Sequence, residues 1–141
     1  EAILGRYSWA QAVVMAAAVA DYRPAEVSRE KEPKVAVEKV LRLLPNPDIL
    51  KELGENKGSR VLVGFAMETG EGLARAKEKL LRKNLDLIVL NWVNREGVGF
   101  GSFENEVVLL LRDGRVLELP RMPKRQVADR ILDLVKEFWK G

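Results

Sequence analysis

The sequence predicts an α/β fold: a mostly parallel sheet with helices on both faces and a C-terminal β-hairpin. Three observations predict it. Short unbroken apolar runs, each suited to one buried strand, alternate with stretches of helical periodicity. An Asp113-Gly114 pair stands between two apolar segments, the pattern of a tight hairpin turn. The chain has 141 residues, 47% hydrophobic and 32% charged, enough for one globular domain with a core.

The elements follow in order. Residues 1–11 carry no helix start signal and lead straight into the apolar run 13–19, whose Val13-Val14 pair favours a strand covered on both faces. Because the first residue is Glu1 rather than Met, the chain is expected to begin inside a domain. Residues 21–34 are polar and include Pro24 and Pro33, giving a loop longer than most connections. Residues 35–44 alternate in part and read as a strand. Asn46-Pro47-Asp48 reads as a helix start, with Asn as N-cap and Pro at the first helical position, and the helix ends near Glu55. Residues 61–66 form a buried strand, 69–84 a helix carrying Leu73, Ala76, Leu80 and Leu81, and 87–90 a third buried strand. Residues 107–111 and 116–119 flank the hairpin turn, and a last helix from Lys124 carries Val127, Ile131, Val135 and Phe138 on one face. Such a Rossmann-like order places ligands at the carboxyl ends of the strands, at residues 18–21, 65–69 and 90–94.

Composition narrows the chemistry. The chain has no Cys and no His, which excludes a disulfide framework, a thiolate or imidazole metal site, a Cys nucleophile and a Ser-His-Asp triad. Lys, Arg, Asp, Glu, main-chain groups and bound ions remain. A balance of 24 Lys+Arg against 21 Asp+Glu, net +3, is too mild to argue nucleic-acid binding. The longest apolar run, 12–20, is far short of the ~20 residues of a membrane helix. No signal peptide is visible, and a cytoplasmic protein is expected.

Within that inventory, each candidate has two readings. Asp21, at a strand's carboxyl end, suits a carboxylate accepting from two ribose hydroxyls, and equally an ordinary loop cap. Lys31 and Lys34 lie in the charged loop, where ammonium groups can close over phosphates or simply keep a loop solvated. Lys79 and Lys83, four apart, share a helix face with Arg75 and Arg82 nearby, an anion seat or a solvated face. The helix N-terminus at Asn46-Pro47-Asp48-Ile49 attracts anions, but Asp48 would compete with a phosphate, so hydroxyl or amino groups are expected there. Gly97-Val98-Gly99-Phe100-Gly101 precedes a strand rather than a helix, so it reads as a turn and not a phosphate loop.

The order of these pieces resembles the phosphopantothenate–cysteine ligase (phosphopantothenoylcysteine synthetase) family. The motifs are Ala16-Ala17-Ala18-Val19-Ala20-Asp21-Tyr22, Lys31, Asn46-Pro47-Asp48-Ile49-Leu50, Val63-Gly64-Phe65-Ala66 with Glu68-Thr69, Lys83-Asn84-Leu85-Asp86 before Ile88-Val89-Leu90-Asn91, Gly99-Phe100 with Asn105-Glu106-Val107, and Ala128, Ile131, Leu132 and Asp133 in the last helix. They run in unbroken order over nearly the whole chain. The resemblance implies residues 1–141 as the C-terminal portion of one ligase domain, with its N-terminal part missing: a Gly-rich strand–loop–helix and an Asn-Arg-Ser-Ser-Gly stretch are absent.

It further implies coenzyme A biosynthesis. CTP activates 4′-phosphopantothenate as an acyl-cytidylate, with Mg²⁺ accompanying the nucleotide, and L-cysteine displaces CMP. Carried over, the nucleotide site comprises Met15, Ala16, Ala17, Asp21, Lys31, Pro47, Asp48, Ile49, Leu50, Phe65, Lys79 and Lys83. Lys31 takes the catalytic lid role, Lys34 belongs to the same lid, and Ala18 lies near the acyl-cytidylate. No protein metal ligand is implied. FMN belongs to a flavin-dependent decarboxylase, fused or separate, outside this sequence. A homodimer with the lid area near the partner is expected, with neither nucleic acid nor membrane as partner. Two departures stand out: the lid reads Lys31-Glu32-Pro33-Lys34 where Lys-x-Lys-Lys is usual, and Met67 replaces the usual Ala.

Two other readings compete. A nucleotide- or dinucleotide-binding module without ligase activity lacks the strand–Gly-x-Gly-x-x-Gly–helix fingerprint here. A nucleic-acid binder built on Lys77, Lys79, Arg82 and Lys83 has the near-balance of charge against it.

Overall fold

The computed structural model describes residues 1–28, 30–31, 40–68, 72–92 and 102–140. In chain order the elements are α1 (Leu4–Tyr7), β1 (Ala12–Met15), β2 (Tyr22–Pro24), β3 (Leu43–Pro45), α2 (Ile49–Glu55), β4 (Val61–Glu68), α3 (Gly72–Arg82), β5 (Leu87–Trp92), β6 (Glu104–Leu111), β7 (Val116–Pro123) and α4 (Lys124–Lys140). The chain divides into two compact units: Glu1–Ala16 with Leu50–Gly141, and Ala17–Ile49.

The larger unit is built on a five-stranded sheet in the order β1-β4-β5-β6-β7. β1, β4 and β5 are parallel; β6 and β7 return antiparallel as the expected hairpin. The unbroken apolar runs of the central strands have a direct cause, because both of their faces are covered. Val61, Val63, Leu87, Val89, Val107, Leu109 and Leu111 pack with Val127, Ile131, Leu134 and Val135 of α4. Alternate residues point the other way, where Leu53 of α2 and Ala76 and Leu80 of α3 are buried. Gly64 lies on that second face, where a Cβ would come within 2.8 Å of Leu85 and 3.0 Å of Leu50. The Rossmann-like architecture is therefore present, with helices on both faces.

The smaller unit is a two-stranded antiparallel pairing of β2 with β3, Tyr22 opposite Pro45 and Pro24 opposite Leu43. Among the described residues no helix is long and apolar enough to cross a membrane.

Several elements differ from expectation. The apolar run 13–19 is a strand only to Met15; beyond it Ala16 donates to the Val14 carbonyl (3.2 Å) and Val19 to that of Ala17 (3.1 Å), tight local turns that small side chains permit. Tyr22–Pro24, expected as the start of a loop, is a strand, and its partner is only the end of the expected strand 35–44; residues 32–39 lie outside the described residues. The helix expected over 69–84 runs Gly72–Arg82, with 69–71 outside the described residues. The turn expected at 97–101 and the lid residue Lys34 also lie outside them.

A four-residue helix, α1, was not signalled at all, and Ile3 at its N-cap makes no side-chain capping bond. Tertiary contacts hold it. The Tyr7 hydroxyl donates to the Leu53 carbonyl (2.8 Å), Arg60 Nε donates to the carbonyls of Tyr7 (2.9 Å) and Ala10 (3.1 Å), and the Arg60 guanidinium sits 4.5 Å from the centre of the Tyr7 ring.

The turn after α3 fixes how the helices sit on the sheet. Asn84 adopts φ 53°, a left-handed helix stop that Asn tolerates well, and Leu85 N–H reaches back to the Leu80 carbonyl (2.9 Å). Its side-chain amide donates to the Gly54 carbonyl (2.9 Å) and accepts from Arg112 (2.5 Å). Asp86 then clasps β4: its carboxylate accepts from Leu62 N–H (2.8 Å) and Lys57 Nζ (2.5 Å).

Candidate functional site

The carboxyl end of the parallel strands is formed by unequal strand lengths. β1 pairs with β4 from Ala12 opposite Val61 to Met15 opposite Gly64, while β4 continues to Glu68. Residues 65–68 therefore have β5 on one side and, among the described residues, no strand on the other. A crevice beside such a strand end is where open α/β sheets take ligands.

Glu68 ends this open stretch. It is the one buried charged residue among those described, at 7% exposure, and forms an ion pair with Lys79 of α3. Arg75 Nη1 lies 3.8 Å from its other carboxylate oxygen. Arg75 and Lys79 are one turn apart on α3, so their mutual repulsion is relieved by one shared carboxylate. Long side chains on a helix lean toward its N-terminus, which brings Lys79 up to the strand end. Lys79 keeps 37% of its side chain exposed and Arg75 64%. One buried anion against two cations leaves this cluster with a local surplus of positive charge facing solvent.

The remaining predicted residues of this unit are placed differently. Lys83 lies just past the end of α3, half-buried; its N–H donates to the Lys79 carbonyl (3.0 Å), and its own carbonyl abuts Gly54. The expected pair of adjacent helix amines thus resolves into one amine held by Glu68 and one at the helix end. Phe65 is half-buried and packs into the α4-side core, so its ring and the Lys79 ammonium lie on opposite faces of the sheet. Met15 is buried, Ala16 exposed, and Leu50 half-buried.

In the smaller unit, Asp21 and the Asn46-Pro47-Asp48 turn come together. Asn46 N–H donates to the Asp21 carbonyl (2.8 Å), and its side-chain amide donates to Ala20 O (2.7 Å). Arg23 Nη1 bonds both Pro45 O (2.7 Å) and Asn46 Oδ1 (3.2 Å). Asn46 is therefore not the N-cap of α2, which starts at Ile49; its side chain is engaged across the turn instead. Ala17, Ala18, Asp21, Lys31, Pro47 and Asp48 are exposed, and Ile49 is half-buried.

Two features carry no role in the sequence beyond their motifs. Glu68 was legible only as part of a motif, although an acidic residue closing a buried run, with Arg and Lys seven and eleven positions later, is a usable signal. The second is Asn105, whose amide donates to Asn91 Oδ1 (2.7 Å) at the carboxyl end of β5. A cavity of about 300 Å³ lies elsewhere, beside α1 and β1, lined by Ile3, Tyr7, Trp9 and Val13, and holds none of the predicted site residues. Among the described residues no group of three or more acidic side chains gathers to hold a metal.

Residues 1–138 match the family described as the DNA/pantothenate metabolism flavoprotein C-terminal domain. The chain belongs to this family. Over 140 residues it is 46% identical to the coenzyme A biosynthesis bifunctional protein CoaBC of Bacillus subtilis (strain 168), covering 99% of this chain and 34% of that protein. It is 40% identical to the protein of the same description from Mycobacterium bovis, covering 94% of this chain and 34% of that protein. The crystal structure of the C-terminal domain of CoaBC superposes with a TM-score of 0.79 and 35% identity, covering 99% of this chain and 60% of that one. The chain thus spans about a third of the length of the curated relatives it matches.

Proposed function

We propose that this chain is the nucleotide-handling part of a phosphopantothenate–cysteine ligase in coenzyme A biosynthesis, using CTP. The observation that carries the reading is the 46% identity to a coenzyme A biosynthesis protein over 99% of the chain. A buried carboxylate that organises two cations at the strand ends supports it.

The proposed reaction has two steps. The carboxylate of 4′-phosphopantothenate attacks the α-phosphorus of CTP, forming the acyl-cytidylate and releasing pyrophosphate. The amine of L-cysteine then attacks the acyl carbon, an amide bond forms, and CMP leaves with the bond electrons while the amine sheds its proton. Both steps depend on positioning and on neutralising phosphate charge, which suits a chain without Cys or His. Asp21 is assigned to the ribose hydroxyls, and main-chain groups of Met15, Ala16 and Ala17 to the nucleotide. Pro47, Asp48, Ile49, Leu50 and Phe65 flank the nucleotide, with main-chain groups reading the cytosine edge; Phe65 takes part through its backbone at the strand end, because its ring packs on the face away from Lys79. Lys79 and Lys83 meet the phosphates, Lys31 and Lys34 close over them, and Ala18 lies beside the acyl-cytidylate.

The described residues offer no carboxylate cage for Mg²⁺. The ion belongs with the nucleotide phosphates, its usual mode of binding. FMN is assigned to a decarboxylase outside these residues, and the complete enzyme is assigned as a cytoplasmic homodimer.

The test uses the full-length parent protein. CTP with Mg²⁺ should raise its melting temperature more than ATP, GTP or UTP does. Equal shifts from all four remove the cytosine assignment. Full ligase turnover by Lys31→Ala removes the lid lysine from the mechanism.

A further inference from the structure

We infer that Arg75 is a further phosphate-binding residue of the nucleotide site, aligned beside Lys79 by the buried carboxylate of Glu68. The inference rests on the ligase reading above and deepens it.

Three observations lead to it. First, Glu68 is buried at 7% exposure, and a buried carboxylate is costly unless cations compensate it. It has two, from consecutive turns of one helix face, and its two oxygens divide between them: Oε1 to Lys79 and Oε2 toward Arg75. Second, the two contacts are unequal. Lys79 makes a direct hydrogen bond, whereas Arg75 at 3.8 Å is beyond hydrogen-bond length and 64% exposed. The guanidinium is drawn to the carboxylate without surrendering its fork of donors to it. Third, position favours the strand ends. Arg75 lies in the first turn of α3, which opens at Gly72, four residues after Glu68, so it stands closer to the carboxyl edge of the sheet than Lys79 does.

A planar fork of donors matches the paired oxygens of a phosphate, while an ammonium acts as a point charge. The same carboxylate therefore presents two different phosphate-binding groups side by side. Arg82, in the last turn of the same helix, carries the same charge but is not tied to Glu68. It serves as the internal comparison.

The experiment uses the full-length parent protein with four variants, Arg75→Ala, Arg75→Lys, Arg82→Ala and Lys79→Met. Arg75→Ala should raise KM for CTP about tenfold, the weight of one charge-assisted contact. Arg75→Lys should recover only part of this, and Arg82→Ala should stay within about twofold, as expected for a screened surface charge. Binding of cytidine, which has no phosphate, should be unchanged in Arg75→Ala. Equal effects of Arg75→Ala and Arg82→Ala overturn the inference, because general positive charge then accounts for both. So does an equal loss of cytidine binding, which marks a structural effect. If Lys79→Met weakens CTP and Arg75→Ala does not, the inference fails while the ligase reading stands. If the unaltered parent neither binds nor turns over CTP, both fall together.

Discussion

Replacing Gly54 by Ala tests how rigidly α2 is held against the turn that ends α3. A Cβ at Gly54 would lie 2.0 Å from the Lys83 carbonyl oxygen, 2.9 Å from its carbonyl carbon and 3.3 Å from the Asn84 Cβ. Comfortable heavy-atom contact needs about 3.5 Å, so the two segments must part by about 1.5 Å. The obstacle is main chain, and no rotamer change relieves it. Overpacking of this kind costs about 1–3 kcal/mol. The separation also breaks the Asn84 amide bond to the Gly54 carbonyl, now 2.9 Å, worth about 1 kcal/mol. Against this, Ala is the better helix former by about 1 kcal/mol. The net expectation is a loss of about 2 kcal/mol. Urea unfolding followed by tryptophan fluorescence should show it as a midpoint lowered by about 1.3 M at an unchanged slope of about 1.5 kcal/mol/M. Because the displaced atoms belong to Lys83, CTP affinity in the parent protein should fall as well. A variant within about 0.5 kcal/mol of wild type would refute the packing argument, since surface-like tolerance would mean α2 is free to shift.

Two further changes probe the same framework. Asp86→Ala removes the acceptor of Leu62 N–H (2.8 Å) and strands Lys57, whose side chain is 11% exposed, so denaturation should register a loss of about 3 kcal/mol. Tyr7 has its pKa raised above the ordinary 10.0 by burial, with Asp86 adding to the rise and the Arg60 guanidinium opposing it. The unfolded chain therefore ionises first, so this contribution is complete below about pH 10 and is lost as pH climbs through the folded-state value. Tyr7→Phe should cost about 1 kcal/mol at neutral pH and flatten that alkaline decline, read as unfolding midpoints between about pH 8 and 11.

The parts of the fold written plainly in the sequence are those where one local force dominates. Unbroken apolar runs at 61–66 and 87–90 could only be strands or buried helix, and their β-branched content and length decided between these. Asp113-Gly114 announced the hairpin, and Gly114 takes a positive φ of 94° there. What stayed hidden depends on distant partners. The run 12–20 stops being a strand at Met15 because the chain leaves the sheet, a decision that no residue in the run records. Tyr22–Pro24 contains a proline and pairs with a segment some twenty residues on. Asn46 looked like an N-cap because Asn caps helices well; here Ala20 and Asp21 compete for it and win. At the candidate site, spacing puts Lys79 and Lys83 on one helix face but leaves anion seat and solvated face both open, and the carboxylate that engages Lys79 shows in the sequence only as an acidic residue closing a buried run.

The motifs that carry the family resemblance divide by physical role. Asn84-Leu85-Asp86 is architecture: Asn84 ties Gly54 to Arg112, and Asp86 binds Leu62 and Lys57, joining α2, β4 and the hairpin into one unit. These residues answer to main-chain hydrogen bonding and ion pairing, independently of any reaction. Glu68 belongs to another class. A carboxylate at the end of β4 contributes no strand pairing that an apolar residue would not, and burying it is unfavourable in itself. Its burial makes physical sense where the two cations it gathers have a further anion to meet. The first class of residue holds the fold together, whereas the proposed reaction draws on the second, and measurements on Arg75 and Lys79 test it directly.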